Sequence, residues 1–277
     1  MKFVFKKIYF AVLFIFILVC FFTWQFFKKP ETNANWMKEF QVLQTAEFNG
    51  DIVTVKNVRN FRYSEDENPT QISYYDQDYN LQKISKLWYI VEPFKSREFA
   101  AHTFLSFEFF DGKFLTISIE ARKKVGQDYS LIKGILKTYP LIYVAADERD
   151  AILVRTNIRK DKIFLYPVKA STQEVKDLFV DMLLRMNNLA VNPQWYNTFT
   201  ANCTSSIAYH INKIWPGRVP KFSWQIWITG YAEKLAFNEG LIDTNLTIED
   251  AREKYYITQK AQEIGDDYNF SQKIREF

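Results

Sequence analysis

Residues 101–122 read AHTFLSFEFFDGKFLTISIEAR, two runs rich in aromatic and β-branched residues separated by Asp111-Gly112, the pattern of a β-hairpin. Turn length decides which side chains oppose each other. A two-residue turn at Asp111-Gly112 places His102 opposite Ala121 and sends Glu120 to the other face. A three-residue turn, Phe110-Asp111-Gly112 with Gly112 left-handed, shifts the register by one and sets His102 directly opposite Glu120. We expect the second register. Opposed residues have Cβ atoms about 5 Å apart, so the Glu120 carboxylate reaches a ring nitrogen of His102. Ser118, two residues back on the same face, is the reserve partner.

Outward from the hairpin, DIVTVKNVRNFRY alternates, PTQISYY follows a turn, and LWYIVEPF is apolar up to its proline; all three read as strands. Downstream, SLIKGILKTYPLIYVAAD, AILVRTNI and KIFLYPV are each short enough for a strand or a short helix. Ser171 to Asn188 reads as a helix, because Ser171 and Glu174 form a capping box and Val175, Leu178, Phe179, Met182 and Met186 recur at helical spacing. A second helix opens at Asn202 or Cys203 and stops before Pro216-Gly217. FSWQIWITGYAEKL is a candidate third helix, and Ile248 to Ile264 a charged tail helix ended by Gly265. No internal repeat is present.

The chain has 277 residues, 48% apolar and 25% charged, which excludes wholesale disorder and collagen-like structure and predicts a packed core. Aromatic residues reach 18%, a composition compatible with life beside a membrane. The net charge of +4 is local in origin. Lys2, Lys6, Lys7, Lys28 and Lys29 precede residue 30 without an acid, and removing those five from the 36 basic residues leaves 31 against 32 acids. Nucleic-acid binding is therefore set aside, for want of a concentrated basic face. The two cysteines, Cys20 and Cys203, cannot form a disulfide framework in the soluble part, since only Cys203 lies there.

Ile8 to Phe27, IYFAVLFIFILVCFFTWQFF, runs without a charge for a length that spans the roughly 30 Å hydrocarbon layer. No A-x-A-like site follows it, so an uncleaved transmembrane anchor is favoured over a signal peptide. Bulky Val19 before Cys20 argues against lipid attachment. Three lysines before the span against two after it favour a cytoplasmic N-terminus, and therefore a domain outside the cytoplasm.

Cys203 is the one soluble thiol, and His102 and His210 are the only histidines. On a shared helix, His210 lies about 10.5 Å along the axis from Cys203, beyond hydrogen-bond reach. His102 is the better base. A cysteine in the first turn of a helix has its thiolate favoured by the dipole and the free N–H groups, and Asn202 supplies the cap. Against this, a lone cysteine in an apolar helix is usually an inert small hydrophobe, and a lone strand histidine a hydrogen-bonded core residue.

NVRNFRY at 57–63, the hairpin at 101–122, DERDAILVRT at 147–156 and YNTFTANCTSSI at 196–207, in that order, resemble the family called the Lnb N-terminal periplasmic domain. The order of His before a Cys that opens a helix is also similar to circularly permuted papain-like folds, including lecithin:retinol acyltransferase. The resemblance implies an α+β, circularly permuted papain-like domain, an antiparallel sheet with packed helices, which here follows the one N-terminal transmembrane helix read from residues 8–27. It implies Cys203 as nucleophile, His102 as base and an acyl chain held on sulfur before transfer to an amine, as in lipoprotein N-acyltransferases that use a phospholipid acyl donor and a lipoprotein acceptor.

Further candidates come from residue type. Arg122 and Arg155, near strand ends, are candidates to hold a lipid phosphate, Asn202 and Ser118 to contact substrate, and Tyr196 and Asn197 to shape an oxyanion site. Asp147, Glu148 and Asp150 beside Arg149 read as a turn with solvated carboxylates rather than a metal site. Phe222, Trp224, Trp227 and Tyr231 read equally as a headgroup or acyl contact and as a helix buried on the core. No phosphate loop, zinc spacing or G-x-S-x-G element is present, and neither metal nor cofactor is called for.

The sequence thus leads to an anchor over 1–30, a papain-like extracytoplasmic domain over 31–240 and a helical tail over 241–277, single-pass in a bacterial inner membrane with the domain in the periplasm. The expected work is acyl transfer through a Cys203 thioester, with the membrane, a phospholipid donor and a lipoprotein or peptide acceptor as partners. The competing readings are a cysteine peptidase or amidase using the same pair on cell-envelope peptides, and a non-catalytic binding module with Cys203 buried.

Overall fold

A three-residue turn joins strands β7 (Ala101–Phe109) and β8 (Phe114–Ala121), with Gly112 at φ +80° and its N–H donated to the Phe109 carbonyl at 3.0 Å. Phe104 pairs with Ser118 and Glu108 with Phe114, so the register carries His102 opposite Glu120 as expected. This is a computed structural model; residues 2–95 and 99–277 are described, with the side chains of residues 2–5 and 11 outside that description. Lys2, counted above in the charge bias, is among those side chains.

The hairpin is the centre of a mostly antiparallel sheet. Its other strands are β1 (Thr45–Asn49), β2 (Ile52–Arg59), β5 (Tyr74–Asn80), β6 (Ile84–Pro93), β9 (Leu141–Ala146) and β10 (Phe164–Pro167), ordered β1-β2-β9-β8-β7-β6-β10 with β5 also paired to β2. Strands β3 (Arg62–Tyr63) and β4 (Pro69–Gln71) make a separate ribbon. The β2–β9 junction is parallel and rests on the single pairing of Arg59 with Ala146.

Both faces are covered, and alternation along the strands sorts the side chains between them. Leu105 and Phe107 of β7, Leu115 and Ile117 of β8 and Tyr143 of β9 share one core with Val175, Phe179 and Met182 of α4 (Thr172–Val191) and Ile207 of α5 (Cys203–Ile214). Phe107 meets Phe179 edge to face at 4.9 Å, and burying each such ring stabilises by about 1.5–3 kcal/mol. Phe104, Ile142 and Val144 belong to the opposite core, with Ile257, Ala261, Phe270 and Ile274 from the C-terminal segment. The α+β class is therefore present, with helices on both sides of the sheet.

Several segments depart from the sequence expectation. The tail is not one helix: α8 (Ile248–Lys254) and α9 (Thr258–Ile264) are separated where the Tyr255 carbonyl accepts from Leu165 N–H and Ile257 N–H donates to Ile163, extending the β10 edge. Residues 266–277, including α10 (Phe270–Lys273), pack onto the same face. The candidate third helix is likewise split into α6 (Trp224–Trp227) and α7 (Ala232–Asn238), because Thr229 Oγ1 accepts from Ala101 N–H and Gly230 N–H donates to Phe99 O, tying the chain to the start of β7. AILVRTNI is a π-helical turn over Val154–Ile158.

Of the acidic group at 147–150, expected to be solvated, Glu148 and Asp150 are buried and Asp147 is partly exposed. Asp150 takes the Arg59 Nε and Nη2 donors at 2.8 and 2.9 Å and the Phe61 N–H at 2.8 Å, while Glu148 pairs with Arg275 and accepts from Ser106. Asp147 caps the short α3 (Glu148–Ala151). Partners lying far away along the chain made these carboxylates affordable inside the protein.

Candidate active site

Asn202 starts α5 through a capping box with Ser205: its side-chain oxygen accepts the Ser205 N–H at 2.7 Å, and the Ser205 hydroxyl accepts the Asn202 N–H at 2.9 Å. The Asn202 amide also donates to the Thr198 carbonyl at 2.7 Å, which closes the approach loop. Cys203 is thus the first helical residue, where the dipole and unpaired donors stabilise an anion. Among the described residues the N–H groups of Cys203 and Thr204 carry no hydrogen bond, leaving two donors at the helix mouth.

α5 lies on the Thr103 side of β7, where Thr103 Oγ1 meets Thr204 Oγ1 at 3.2 Å. Cys203 is 5% exposed and lines the cleft at the open end of the central hairpin. His102 comes to the same point from the neighbouring strand position. Its Nε2 lies 2.8 Å from Ser118 Oγ and 3.0 Å from Glu120 Oε1, and Ser118 donates to that carboxylate oxygen at 2.6 Å. With Nε2 held there, Nδ1 is the nitrogen open to a thiol.

The electrostatics of Cys203 and His102 are coupled. Burial opposes charge on both, but the Glu120 carboxylate and the sulfur, through charge and a side-chain hydrogen bond, push the His102 imidazolium up to about 10. Burial likewise raises the Cys203 thiol, and is outweighed by His102 and by hydrogen bonds from Thr103, so the thiol falls below its ordinary value of 9.0. Glu120 is lowered despite burial, by His102 first and by Arg155 and Ser118. The best-directed contact of the sulfur is with Thr204 Oγ1 at 3.9 Å. Sulfur and imidazole line the same cleft and act on each other's charge, and catalytic hydrogen bonds of this kind often tighten only when substrate enters.

These directions define a pH window in which thiolate and imidazolium coexist, bounded below by the lowered thiol and above by His102. Alkylation of Cys203 is expected to hold its plateau to a pH below the ordinary thiol range. In His102→Ala the cation is gone and burial remains, so the inflection moves up the pH scale. Alkylation rates followed across pH in both proteins check this. An inflection common to both would remove the ion pair.

The cleft measures about 420 Å³ and is mostly apolar, with Phe94, Phe99, Leu131, Phe199, Trp227 and Ile228 in its walls. Arg155, on the π-helical turn, stacks on Phe104 at 4.7 Å, binds buried Glu92 at 2.7 Å and approaches Glu120 Oε1 at 3.6 Å. It lines the cleft with its donors already engaged, acting on Glu120 rather than standing free for a phosphate. Arg122 does not line the cleft: its guanidinium is buried, lies 4.3 Å from the Trp36 ring and donates to the Phe40 and Gln41 carbonyls. Tyr196 lines the cleft and bonds Tyr129 OH at 3.1 Å, whereas Asn197 turns back to accept the Phe199 and Thr200 N–H groups. His210 lies elsewhere, between Asp181 and the Tyr143 hydroxyl.

Sequence reasoning missed Glu92 and Tyr129. A carboxylate in the apolar run LWYIVEPF was a usable signal for the first; nothing local marked the second.

The site is a Cys-His-Glu constellation set on an α+β scaffold. A family model described as the Lnb N-terminal periplasmic domain matches residues 71–230, and the chain belongs to that family. That span contains His102, Ser118, Glu120, Arg155 and Cys203. No curated protein matches the chain, and no solved structure does. Among the described residues one helix, Lys6–Phe27, is long and apolar enough to cross a membrane.

Proposed function

We propose that this protein is a membrane-anchored cysteine acyltransferase built on a circularly permuted papain-like plan. The observation that carries the proposal is the thiol of Cys203 at a helix start beside His102, itself held by Glu120 and Ser118, in an apolar cleft. The chain order, His before the helix-opening Cys, supports the permuted plan. The donor is a phospholipid and the acceptor an amine of a lipoprotein or peptide. The Lys6–Phe27 helix anchors the protein in a bacterial inner membrane, single-pass, with the domain in the periplasm.

In the first half-reaction the Cys203 thiolate attacks the ester carbonyl carbon, and the tetrahedral oxyanion is received by the Cys203 and Thr204 N–H groups. His102 gives its proton to the departing alcohol oxygen, releasing a lysophospholipid and leaving a thioester. In the second, the acceptor amine attacks the thioester, His102 takes the amine proton and the thiolate departs. Glu120 keeps the ring oriented and stabilises its cationic form throughout. The apolar cleft favours transfer of a chain over hydrolysis of a polar peptide.

The test is intact mass after incubation with native phospholipid vesicles. A fatty-acyl adduct that hydroxylamine releases, and that Cys203→Ser lacks, is the expected result. Free fatty acid accumulating without an adduct or acylated amine would replace transfer by hydrolysis. If no adduct forms and Cys203 also resists alkylation, the nucleophile reading is wrong.

A further inference from the structure

The end of the apolar helix is fastened to the domain at a defined place. Lys28 Nζ donates to the Lys137 carbonyl at 2.6 Å, Lys137 Nζ to the Gln25 carbonyl at 2.7 Å and Trp195 Nε1 to the Lys28 carbonyl at 2.8 Å. The Lys28 ammonium also lies 4.9 Å from the Trp195 ring, and Lys124 pairs with Glu31 at 2.6 Å. If the helix crosses a bilayer, these contacts fix the domain surface that meets the headgroups.

On that surface, immediately before Lys137, lies α2 (Leu131–Ile135). Ile132 is 69% exposed, Ile135 42% and Leu136 38%. The inner side of this segment is held firmly: Thr198 Oγ1 donates to the Leu131 carbonyl at 2.8 Å, and a Cβ at Gly134 would meet Thr198 Oγ1 at 2.2 Å. The exposed side chains are therefore not shared with the core. Lys133 and Lys137 flank them, and Trp24 and Trp195 stand at the helix end. Apolar tips between lysines and tryptophans are the composition of an interfacial contact with anionic lipid.

The same segment forms one wall of the cleft. Leu131 and Thr198 line it, as does Phe199, whose ring is half-exposed. We infer that α2 and the loop to Leu136 are seated in the headgroup layer of an anionic bilayer, so that the Cys203 cleft opens at the lipid surface. The inference rests on the anchored reading above and deepens it by naming the surface through which a lipid chain enters. The observation that carries it is the continuity of these apolar tips with the docked end of the helix.

The full chain in vesicles of phosphatidylethanolamine and phosphatidylglycerol tests this without any chemistry at sulfur. In a background of Cys20→Ala and Cys203→Ala, a nitroxide is placed by Ile132→Cys, Ile135→Cys or Phe110→Cys, and its collisions with oxygen and with a water-soluble nickel chelate are compared. Phe110, in the hairpin turn, lies about 26 Å along β7 from His102 and is the aqueous reference. The expected result is an oxygen-to-nickel ratio about tenfold higher at 132 and 135 than at 110, as for groups buried roughly 5–10 Å into the interface. Equal ratios at the three positions overturn the inference. Immersion at 132 without an acyl adduct on the intact protein would leave the surface standing and remove only the acyl-transfer reading.

Discussion

His102→Ala is expected to slow acyl loading of Cys203 by about 10²- to 10⁴-fold, the range a positioned general acid–base group contributes. Two losses combine. The thiol holds its proton more tightly because the imidazolium that lowers it is gone, and the departing alcohol has no donor. Glu120→Gln separates orientation from charge. The amide can still take a hydrogen bond from His102 Nε2 but no longer favours the cation, so the rate falls less and the upper limb of the pH profile moves down from about 10. Single-turnover loading followed by intact mass measures both variants. A His102→Ala rate within a few-fold of wild type would exclude the base, and an unchanged pH profile in Glu120→Gln would exclude the orienter.

The second large effect is on stability. Arg59→Met is expected to cost about 3–5 kcal/mol, the penalty for leaving a buried charge without its partner. Asp150 would keep only Phe61 N–H and the Tyr63 hydroxyl, which reaches it at 3.2 Å. The location magnifies the consequence, because Arg59 stands at the one parallel pairing that joins β2 to β9. For a domain of this size the melting temperature should fall by about 10 °C. Arg59→Met with Asp150→Leu should recover part of the loss, since two apolar residues leave no orphan charge. Thermal and denaturant unfolding of the single and double variants decide it; a single-variant loss below about 1 kcal/mol would show that the pair does not hold the junction.

What the sequence made legible was local. Phe110-Asp111-Gly112 set the hairpin register, and with it the meeting of His102, Ser118 and Glu120, because a turn constrains the few residues beside it. Ser171 and Glu174 marked the start of α4 and Asn202 that of α5, again through neighbours in the chain. What stayed hidden depended on distant partners. Glu92 and Arg155 are 63 positions apart, and Arg122 looks like a surface cation until Trp36 and the Phe40 and Gln41 carbonyls close over it. The tail reads as one charged helix, yet Tyr255 and Ile257 break it to bond with Leu165 and Ile163. The apolar AILVRTNI carries β-like composition but curls into a π-turn that presents Arg155. Pairings of this kind follow from tertiary packing and leave no short-range pattern to read.

The fastening of Lys28 to Lys137 and Trp195 has a kinetic consequence. A domain on a slack tether would sample the bulk phase, and its encounters would scale with substrate per volume. On the proposed reading, a domain latched to its own anchor instead searches a plane, so its saturation would be governed by the mole fraction of substrate among the surrounding lipids. Diluting the donor with inert lipid at fixed total vesicle should slow such a protein, while supplying more vesicles of unchanged composition should leave it indifferent.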